Sequence, residues 1–264
     1  MLTGNISYRN FKTKKKNSII KKKLSSLLKN KNQIIKSLTK NYKYSFSKSS
    51  LKKYKTIDNI RVIGMGGSTL GTQAIYDFLN KKIKKNLTFI DNLKANRKKK
   101  IQKNVLNLIV SKSGNTIETI VNSNILIKKQ DKNIFITENK KSYLYNLAEK
   151  LKAEIIHHNN FIGGRYSVLS EVGMVPAELM GLKSNDFKQL NYLVKNKKFI
   201  NALILNVSST LYFIKQKKFN SVIINYDQNS ENLFKWYQQL VAESLGKHKK
   251  GLLPIVSNMP KDNH

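Results

Sequence analysis

Short apolar runs alternate with amphipathic stretches between residues 57 and 160. Apolar runs bounded by turn residues are typical of strands buried on both faces, and the stretches between them have the helical period of about 3.6 residues. This alternation predicts an α/β fold, a three-layer α/β/α sandwich with a mainly parallel sheet in which Val105–Val110 is central. Strands are predicted at residues 60–63, 87–90, 105–110, 133–137 and 154–156, and helices at 70–79, 116–128 and 143–151.

The regions on either side have a different texture. Residues 1–50 are rich in Lys, Ser and Asn with a weak helical period, which predicts a basic N-terminal helical arm before a first domain at 51–160. After residue 160 the pattern restarts with one clear strand and four helices. Because one strand cannot form a sheet, we expect a second domain at 161–264 that is incomplete in a C-terminally truncated chain. The strand is predicted at residues 221–226 and the helices at 171–180, 187–195, 200–215 and 230–245.

Composition narrows the class of protein. The chain has 264 residues, of which 40% are hydrophobic, so it is long and apolar enough to form a folded core. It has no cysteine, which excludes disulfides, thiolate zinc sites and cysteine nucleophiles. A basic N-terminus without an apolar run behind it, and the lack of any stretch of about 18 apolar residues, argue against secretion and membrane spanning.

The formal net charge of +35 would ordinarily suggest a nucleic-acid partner. The lysines are spread along the chain among Asn and Ile, and arginine is scarce, whereas proteins that follow phosphate backbones favour clustered arginine with aromatic residues between. A solvated lysine surface is therefore the favoured interpretation. Its field should still attract small phosphorylated anions.

The turn after the third predicted strand has a composition suited to phosphate. It reads Ser111-Lys112-Ser113-Gly114-Asn115-Thr116 and leads into a predicted helix. Three hydroxyls and the free N–H groups of a helix N-terminus would meet at one point, where the helix dipole favours a dianion. An ordinary Ser/Thr helix cap explains this turn alone about equally well.

A second turn of the same kind follows the first predicted strand. It reads Gly64-Met65-Gly66-Gly67-Ser68, and its spacing matches neither the dinucleotide fingerprint nor the P-loop. Adjacent parallel strands bring their C-terminal turns together, so Ser68 is expected to face the first turn. Two such turns are more specific than one.

Four segments, in order along the chain, resemble those of the phosphoglucose isomerase family. Two are the phosphate-type turns, which look like sugar-isomerase phosphate-binding motifs. The third resembles the family's signature stretch and the fourth the segment that carries its catalytic glutamate. They are Gly64–Gly71, Ser111–Thr119, the stretch Gly163-Gly164-Arg165-Tyr166-Ser167-Val168 with Gly173, and Trp236–Lys247.

The resemblance implies stacked sugar-isomerase (SIS-like) domains that interconvert glucose 6-phosphate and fructose 6-phosphate through an enediolate. It further implies a cytoplasmic enzyme of glycolysis and gluconeogenesis, without metal or organic cofactor, that forms a homodimer as a full-length protein, with no membrane and no specific nucleic-acid partner. Arg165 would stabilise the enediolate, Glu243 would carry the proton between C2 and C1, and His264 would open the sugar ring. The substrate phosphate would be bound by Ser68, Ser111, Lys112, Ser113 and Thr116, and the rest of the substrate by Gly67 and Gln239.

Elementary chemistry agrees with two of these roles. A single carboxylate between adjacent carbons suffices for aldose-ketose isomerisation, and a guanidinium can stabilise a developing oxyanion without giving up its proton. Taken singly, Glu243 could be a solvated helix carboxylate and Arg165 a structural turn arginine. Gln239 and Glu243 are four residues apart, however, and so share one helix face.

Alternatives remain open at this point. A related sugar-phosphate isomerase, including one with dual glucose and mannose phosphate specificity, or a non-catalytic sugar-phosphate-binding module could use the same two turns, and a basic nucleic-acid-binding protein is a third possibility. His157 and His158 lack a ligand partner at metal spacing, which predicts a surface pair. The 264-residue chain by itself is expected to be inactive.

Overall fold

The computed structural model describes residues 18–30, 32–94, 104–247 and 251–259. Residues 1–17 of the predicted arm, His248 and His264 therefore lie outside the described residues. The strands are β1 Asn59–Ile63, β2 Asn86–Ile90, β3 Val105–Val110, β4 Lys132–Thr137, β5 Glu154–His157, β6 Asn220–Asn225 and β7 Leu253–Asn258. The helices are α1 Ser18–Lys29, α2 Gln33–Ser37, α3 Leu70–Phe78, α4 Ile117–Leu126, α5 Tyr143–Lys150, α6 Glu171–Leu179, α7 Leu190–Leu193, α8 Lys197–Lys215 and α9 Glu231–Leu245.

Strands β1 to β5 form one parallel sheet in the order β2-β1-β3-β4-β5. All six side chains of β3 are buried, because this strand is covered on both faces. The prediction that β3 is central is confirmed. Ile63 at the end of β1 lies opposite Ile109 of β3, so the turns that follow these two strands leave the sheet side by side.

Alternate side chains of the sheet enter two separate apolar layers. Leu106 and Leu108 of β3 belong to a core cluster that also contains Val172 and Val175 of α6. Ile109 belongs to a second cluster with Leu144 and Ala148 of α5. The two-residue alternation of a strand thus places helices on both faces, which confirms the predicted three-layer α/β/α sandwich.

The chain falls into two compact units. One comprises Lys43–Ser184, Ile223–Leu240 and Val256–His264 and contains the five-stranded sheet. The other comprises Met1–Tyr42, Asn185–Val222 and Val241–Ile255. The domain boundaries inferred from the sequence, near residues 50 and 160, stay a prediction.

The second of these units is mainly helical and also contains the first residues of β6 and β7. Within it, α1 contacts α8. The side chain of Lys188 is buried, its ammonium donates to the carbonyl of Ser37, and its Nζ lies 4.8 Å from the ring centroid of Tyr42. A buried ammonium is tolerated because a carbonyl and an aromatic face replace its water.

Strand β7 corrects the expectation that only one strand follows residue 160. It pairs with β6, and the bonds from Leu253 N to Phe219 O (2.9 Å) and from Met259 N to Asn225 O (2.8 Å) advance in the same direction along both strands, as in a parallel pair. The sequence pattern missed β7 because Pro254 argues against a strand.

Candidate functional site

The turn between β3 and α4 is held from both sides. Ser111 is buried and its N–H donates to the carbonyl of Ile136 on β4, at 3.1 Å. Its hydroxyl lies 2.9 Å from that of Thr116. Ser113 is exposed, and its Oγ accepts from the N–H of Asn115 at 3.2 Å. The structure therefore brings Ser111 and Thr116 together and places Ser113 at the surface of the same turn.

Gly114 is required by the shape of this turn. Its φ of +66° lies in the left-handed region, and a Cβ there would lie 2.0 Å from Ser142 Oγ. The Gly114 carbonyl accepts from Leu144 N at 3.0 Å, and Asn115 Oδ1 accepts from Tyr143 N at 2.9 Å. The turn is thus fixed against the start of α5 before any ligand binds.

The start of α4 shows whether a side chain of this turn caps the helix. Thr116 occupies the N-cap position with extended backbone, but its side chain makes no capping hydrogen bond. It pairs with Ser111 instead. Thr116 is therefore not an ordinary side-chain cap, and the N-terminus of this ten-residue helix lies at the turn without one, while phosphate binding by the turn stays a prediction.

The turn after β1 lies against this structure. A Cβ on Gly64 would come within 2.8 Å of the carbonyl of Val110, the residue before Ser111, and within 3.0 Å of Ser68 Cβ. Ser68 is half-buried in the 3₁₀ turn Gly66–Ser68. This arrangement matches the expectation that the two turns are neighbours at one edge of the sheet.

Gly67 brings this turn into backbone contact with the turn that carries Arg165. A Cβ on Gly67 would lie 2.5 Å from the carbonyl carbon of Gly164 and 2.7 Å from the backbone nitrogen of Arg165. Only glycine permits so close an approach. Because Gly67 has no side chain, the backbone of Gly164 and Arg165 can pack directly against this turn, which fixes where Arg165 lies.

Arg165 belongs to the 3₁₀ turn Gly164–Leu169 and is half-buried. Its guanidinium carbon lies 4.8 Å from the ring centroid of Tyr166. Its carbonyl accepts a hydrogen bond of 3.3 Å from Trp236 Nε1 on α9. Arginine over an aromatic face keeps its charge and loses mobility, which suits a fixed cation.

Helix α9 carries the next two predicted residues. Gln239 is half-buried, and its Nε2 lies 2.8 Å from the position that a Cβ on Gly66 would take. Glu243 is exposed and lies one turn further along the same helix face. The hydrogen bond between Trp236 and Arg165 joins residues 71 positions apart, so no local sequence signal predicts it.

The ammonium of Lys112 has two acceptors. It lies 3.3 Å from Glu138 Oε1 and donates to the carbonyl of Asn160 at 2.8 Å. Lys112 thus connects the ends of β3 and β4 with the segment that leads to Gly163 and Arg165. Sequence analysis did not single out Glu138, because its partner is distant in the chain.

The prediction that His157 and His158 form a surface pair is wrong for His158, because this side chain is buried. Its Nδ1 lies 3.0 Å from the carbonyl of Asn159. Burial lowers the pKa of His158 to about 4, and this outweighs the raising effect of the hydrogen bond at Asn159. No group of three or more metal-ligating side chains occurs within the described residues.

Comparison with known proteins gives one consistent family. The family profile described as phosphoglucose isomerase matches residues 8–253. The glucose-6-phosphate isomerase of Methanocaldococcus jannaschii is 36% identical over 235 residues, which cover 81% of this chain and 58% of that protein. The enzyme of the same name from Acholeplasma laidlawii is 34% identical over 245 residues and covers 81% and 56%. The chain thus spans a little over half the length of these relatives.

Solved structures give the fold. A hypothetical protein from Thermus thermophilus superposes with a TM-score of 0.74 at 20% identity, covering 94% of this chain and 65% of that one. The tagatose-6-phosphate ketose/aldose isomerase of Escherichia coli gives 0.53 at 14% identity, covering 82% and 62%. The α/β architecture is therefore shared with a solved phosphosugar isomerase. No helix among the described residues combines the length and the apolar character that crossing a membrane requires.

Proposed function

This chain belongs to the phosphoglucose isomerase family, and we propose that its protein interconverts glucose 6-phosphate and fructose 6-phosphate through an enediolate. One observation carries the proposal above all. The hydroxyl pair Ser111 and Thr116 stands before the N-terminus of α4, which has no side-chain cap, at the sheet edge where Gly67 seats Arg165. Anion-binding groups and a fixed cation are what a sugar phosphate and its enediolate require.

The anion-binding groups around the Ser111–Thr116 turn would bind the phosphate. A dianion before α4 would accept from free backbone N–H groups and from the hydroxyls of Ser68, Ser111, Ser113 and Thr116. The turn is already shaped by Gly114 and the start of α5, so little conformational freedom would be lost on binding. Lys112 adds positive charge to the turn, and Gln239 with Gly67 would contact the rest of the sugar.

The remaining predicted residues, which include the cation Arg165, would carry out the chemistry. Arg165 would stabilise the negative charge that develops on the enediolate oxygens, because a guanidinium stays charged at any working pH. Glu243 would remove the proton at C2 and return it at C1 as a single base. His264 is proposed to open the sugar ring, and it lies outside the described residues.

The remaining features of the proposal concern the whole protein. We assign it to the cytoplasm and to glycolysis and gluconeogenesis, as a homodimer that needs no metal or organic cofactor and has no specific nucleic-acid partner. These assignments follow the family. Strict glucose phosphate specificity and dual glucose and mannose phosphate specificity both fit the two turns.

A coupled assay on the protein expressed from its complete reading frame tests the function directly. We expect formation of fructose 6-phosphate from glucose 6-phosphate without added metal. Calorimetric titration should show binding of glucose 6-phosphate and not of glucose, because the turn recognises the dianion. Equal binding of both sugars would contradict the assignment, and tight binding of the phosphate without turnover would favour a non-catalytic binding module.

A further inference from the structure

One face of α9 carries side chains at alternating spacings of three and four residues. The row begins in the 3₁₀ turn Gln228–Ser230 and continues into the helix. Spacings of three and four keep side chains on one face of a helix. The members of this row, called the α9 row here, are Asn229, Asn232, Trp236, Gln239 and Glu243.

The first two members bind the end of α3. Asn232 Nδ2 donates a short hydrogen bond to Oδ2 of Asp77, and both side chains are half-buried. Asn229 Oδ1 accepts from Nδ2 of Asn80, the second residue after α3, at 2.9 Å. A hydrogen bond to a carboxylate is stronger and shorter than one between neutral groups, so the Asp77–Asn232 bond is the dominant one here.

The next two members contact two turns of the site, the turn that carries Arg165 and the turn that precedes α3. Trp236 Nε1 donates to the carbonyl of Arg165 at 3.3 Å. Gln239 Nε2 packs over Gly66, which comes shortly before α3 begins. From Asn232 to Gln239 the helix rises about 10 Å. Because α9 is attached near its start and again two turns later, neither a slide nor a rotation of the helix leaves both attachments intact.

We propose that Asp77 and Asn232 form a positioning pair for the proton-transfer step, by fixing the register of the helix that carries the base. The inference rests on the proposed function. Glu243 is the next member of the α9 row after Gln239, so a change of register would move its carboxylate. Displacements of about 1 Å in a reacting geometry can cost on the order of 100-fold in rate. Asp77 and Asn232 themselves take no part in the chemistry.

The kinetic test uses the protein expressed from its complete reading frame. In Asp77→Ala and in Asn232→Ala we expect turnover to fall on the order of 10-fold, while KM for glucose 6-phosphate stays within about twofold, because the phosphate turns are untouched. The double alanine variant should lose no more than either single one, as expected for two partners in one bond.

Two further variants separate positioning from general damage. Combining Asp77→Asn with Asn232→Asp exchanges acceptor and donor, and it should restore most of the turnover. Lys235→Ala is the matched control, because it removes the 2.7 Å ion pair with Glu231 on another face of α9. That variant should keep normal turnover.

A second readout does not depend on activity. Trp236 is the only tryptophan of the 264-residue chain. Measured on the 264-residue chain, its emission should shift to the red and become easier to quench in both single alanine variants, return in the exchanged pair, and stay unchanged in Lys235→Ala. No turnover in the full-length wild type, with these shifts present, would overturn the proposed function and with it the positioning role of the pair in proton transfer, while supporting the attachment of α9 to α3. Unchanged turnover and unchanged emission in the single variants, or no recovery in the exchanged pair, would overturn the positioning inference.

Discussion

The central sheet and helix α9 are held by different kinds of interaction. Every side chain of β3 is buried, and the sheet is packed between two apolar clusters. None of the fifteen residues of α9 is buried, and the contacts described for its row are polar. Burial of apolar side chains contributes a large and non-directional stabilisation, whereas a single hydrogen bond contributes a net stabilisation of only about 0.5–1.5 kcal/mol.

This difference means that the elements proposed for phosphate binding and for proton transfer should respond differently to substitution. The turns proposed to hold the phosphate continue strands that the core fixes, so they should tolerate substitutions elsewhere. The helix proposed to carry the base has no fully buried residue and is held along the α9 row by directional hydrogen bonds, so single substitutions in that row should move it. The same contrast holds between strands: Val222 and Ile224 of β6 and Leu253 of β7 are 56%, 59% and 57% exposed, whereas β3 is buried throughout.

Gly67→Ala should cause the largest loss among variants outside the reacting groups. Its Cβ would lie 2.5 Å and 2.7 Å from backbone atoms of Gly164 and Arg165, which cannot rotate away, so Arg165 must shift. We expect turnover in the full-length protein to fall on the order of 100-fold. Steady-state kinetics measure this.

Gly163→Ala is the matched control for that variant. The nearest atom to its Cβ would be Tyr166 Cδ2 at 3.6 Å, an ordinary contact. Near-normal turnover is expected there. If Gly67→Ala were equally harmless, the inference that the Gly66–Ser68 turn fixes the position of Arg165 would be wrong.

The hydroxyl pair gives a smaller and different effect. Replacing Ser111 and Thr116 together by Ala removes both partners of one 2.9 Å bond. Because the phosphate interaction is shared by ground state and transition state, KM should rise about 10-fold while turnover changes little. Thr88→Ala, at an exposed threonine of β2, is the control and should leave KM unchanged. A fall in turnover at constant KM would argue against a phosphate-binding role.

His158 gives an effect on stability alone. Its pKa of about 4 in the folded protein lies below the ordinary value of 6.5, so between these pH values the unfolded chain binds more protons. Stability should therefore fall on acidification, by about 2 kcal/mol from this residue between pH 7 and pH 5. Urea unfolding should show a shallower loss in His158→Gln. An equal loss in both proteins would place the acid sensitivity elsewhere.

Local sequence patterns predicted the fold correctly where the apolar positions along the chain are also the buried ones. The apolar run of β3 and the hydroxyl spacing of Ser111 and Thr116 led to the central strand and the phosphate-type turn. The same patterns failed where contacts between distant parts of the chain determine the burial or the partner of a residue. The burial of His158, the ion pair between Lys112 and Glu138, and the bond from Trp236 to Arg165 join residues whose own neighbours in the chain give no signal.

The central claim is that Glu243 moves a proton between C2 and C1 of a hexose phosphate. The direct measurement is exchange of the C2 proton with deuterium during turnover in D₂O, followed by NMR in the full-length wild type, in Glu243→Gln and in the control Glu231→Gln. We expect exchange with wild-type and control protein, and a loss on the order of 100-fold or more in Glu243→Gln with nearly unchanged affinity for glucose 6-phosphate. Near-normal exchange in Glu243→Gln would contradict the account.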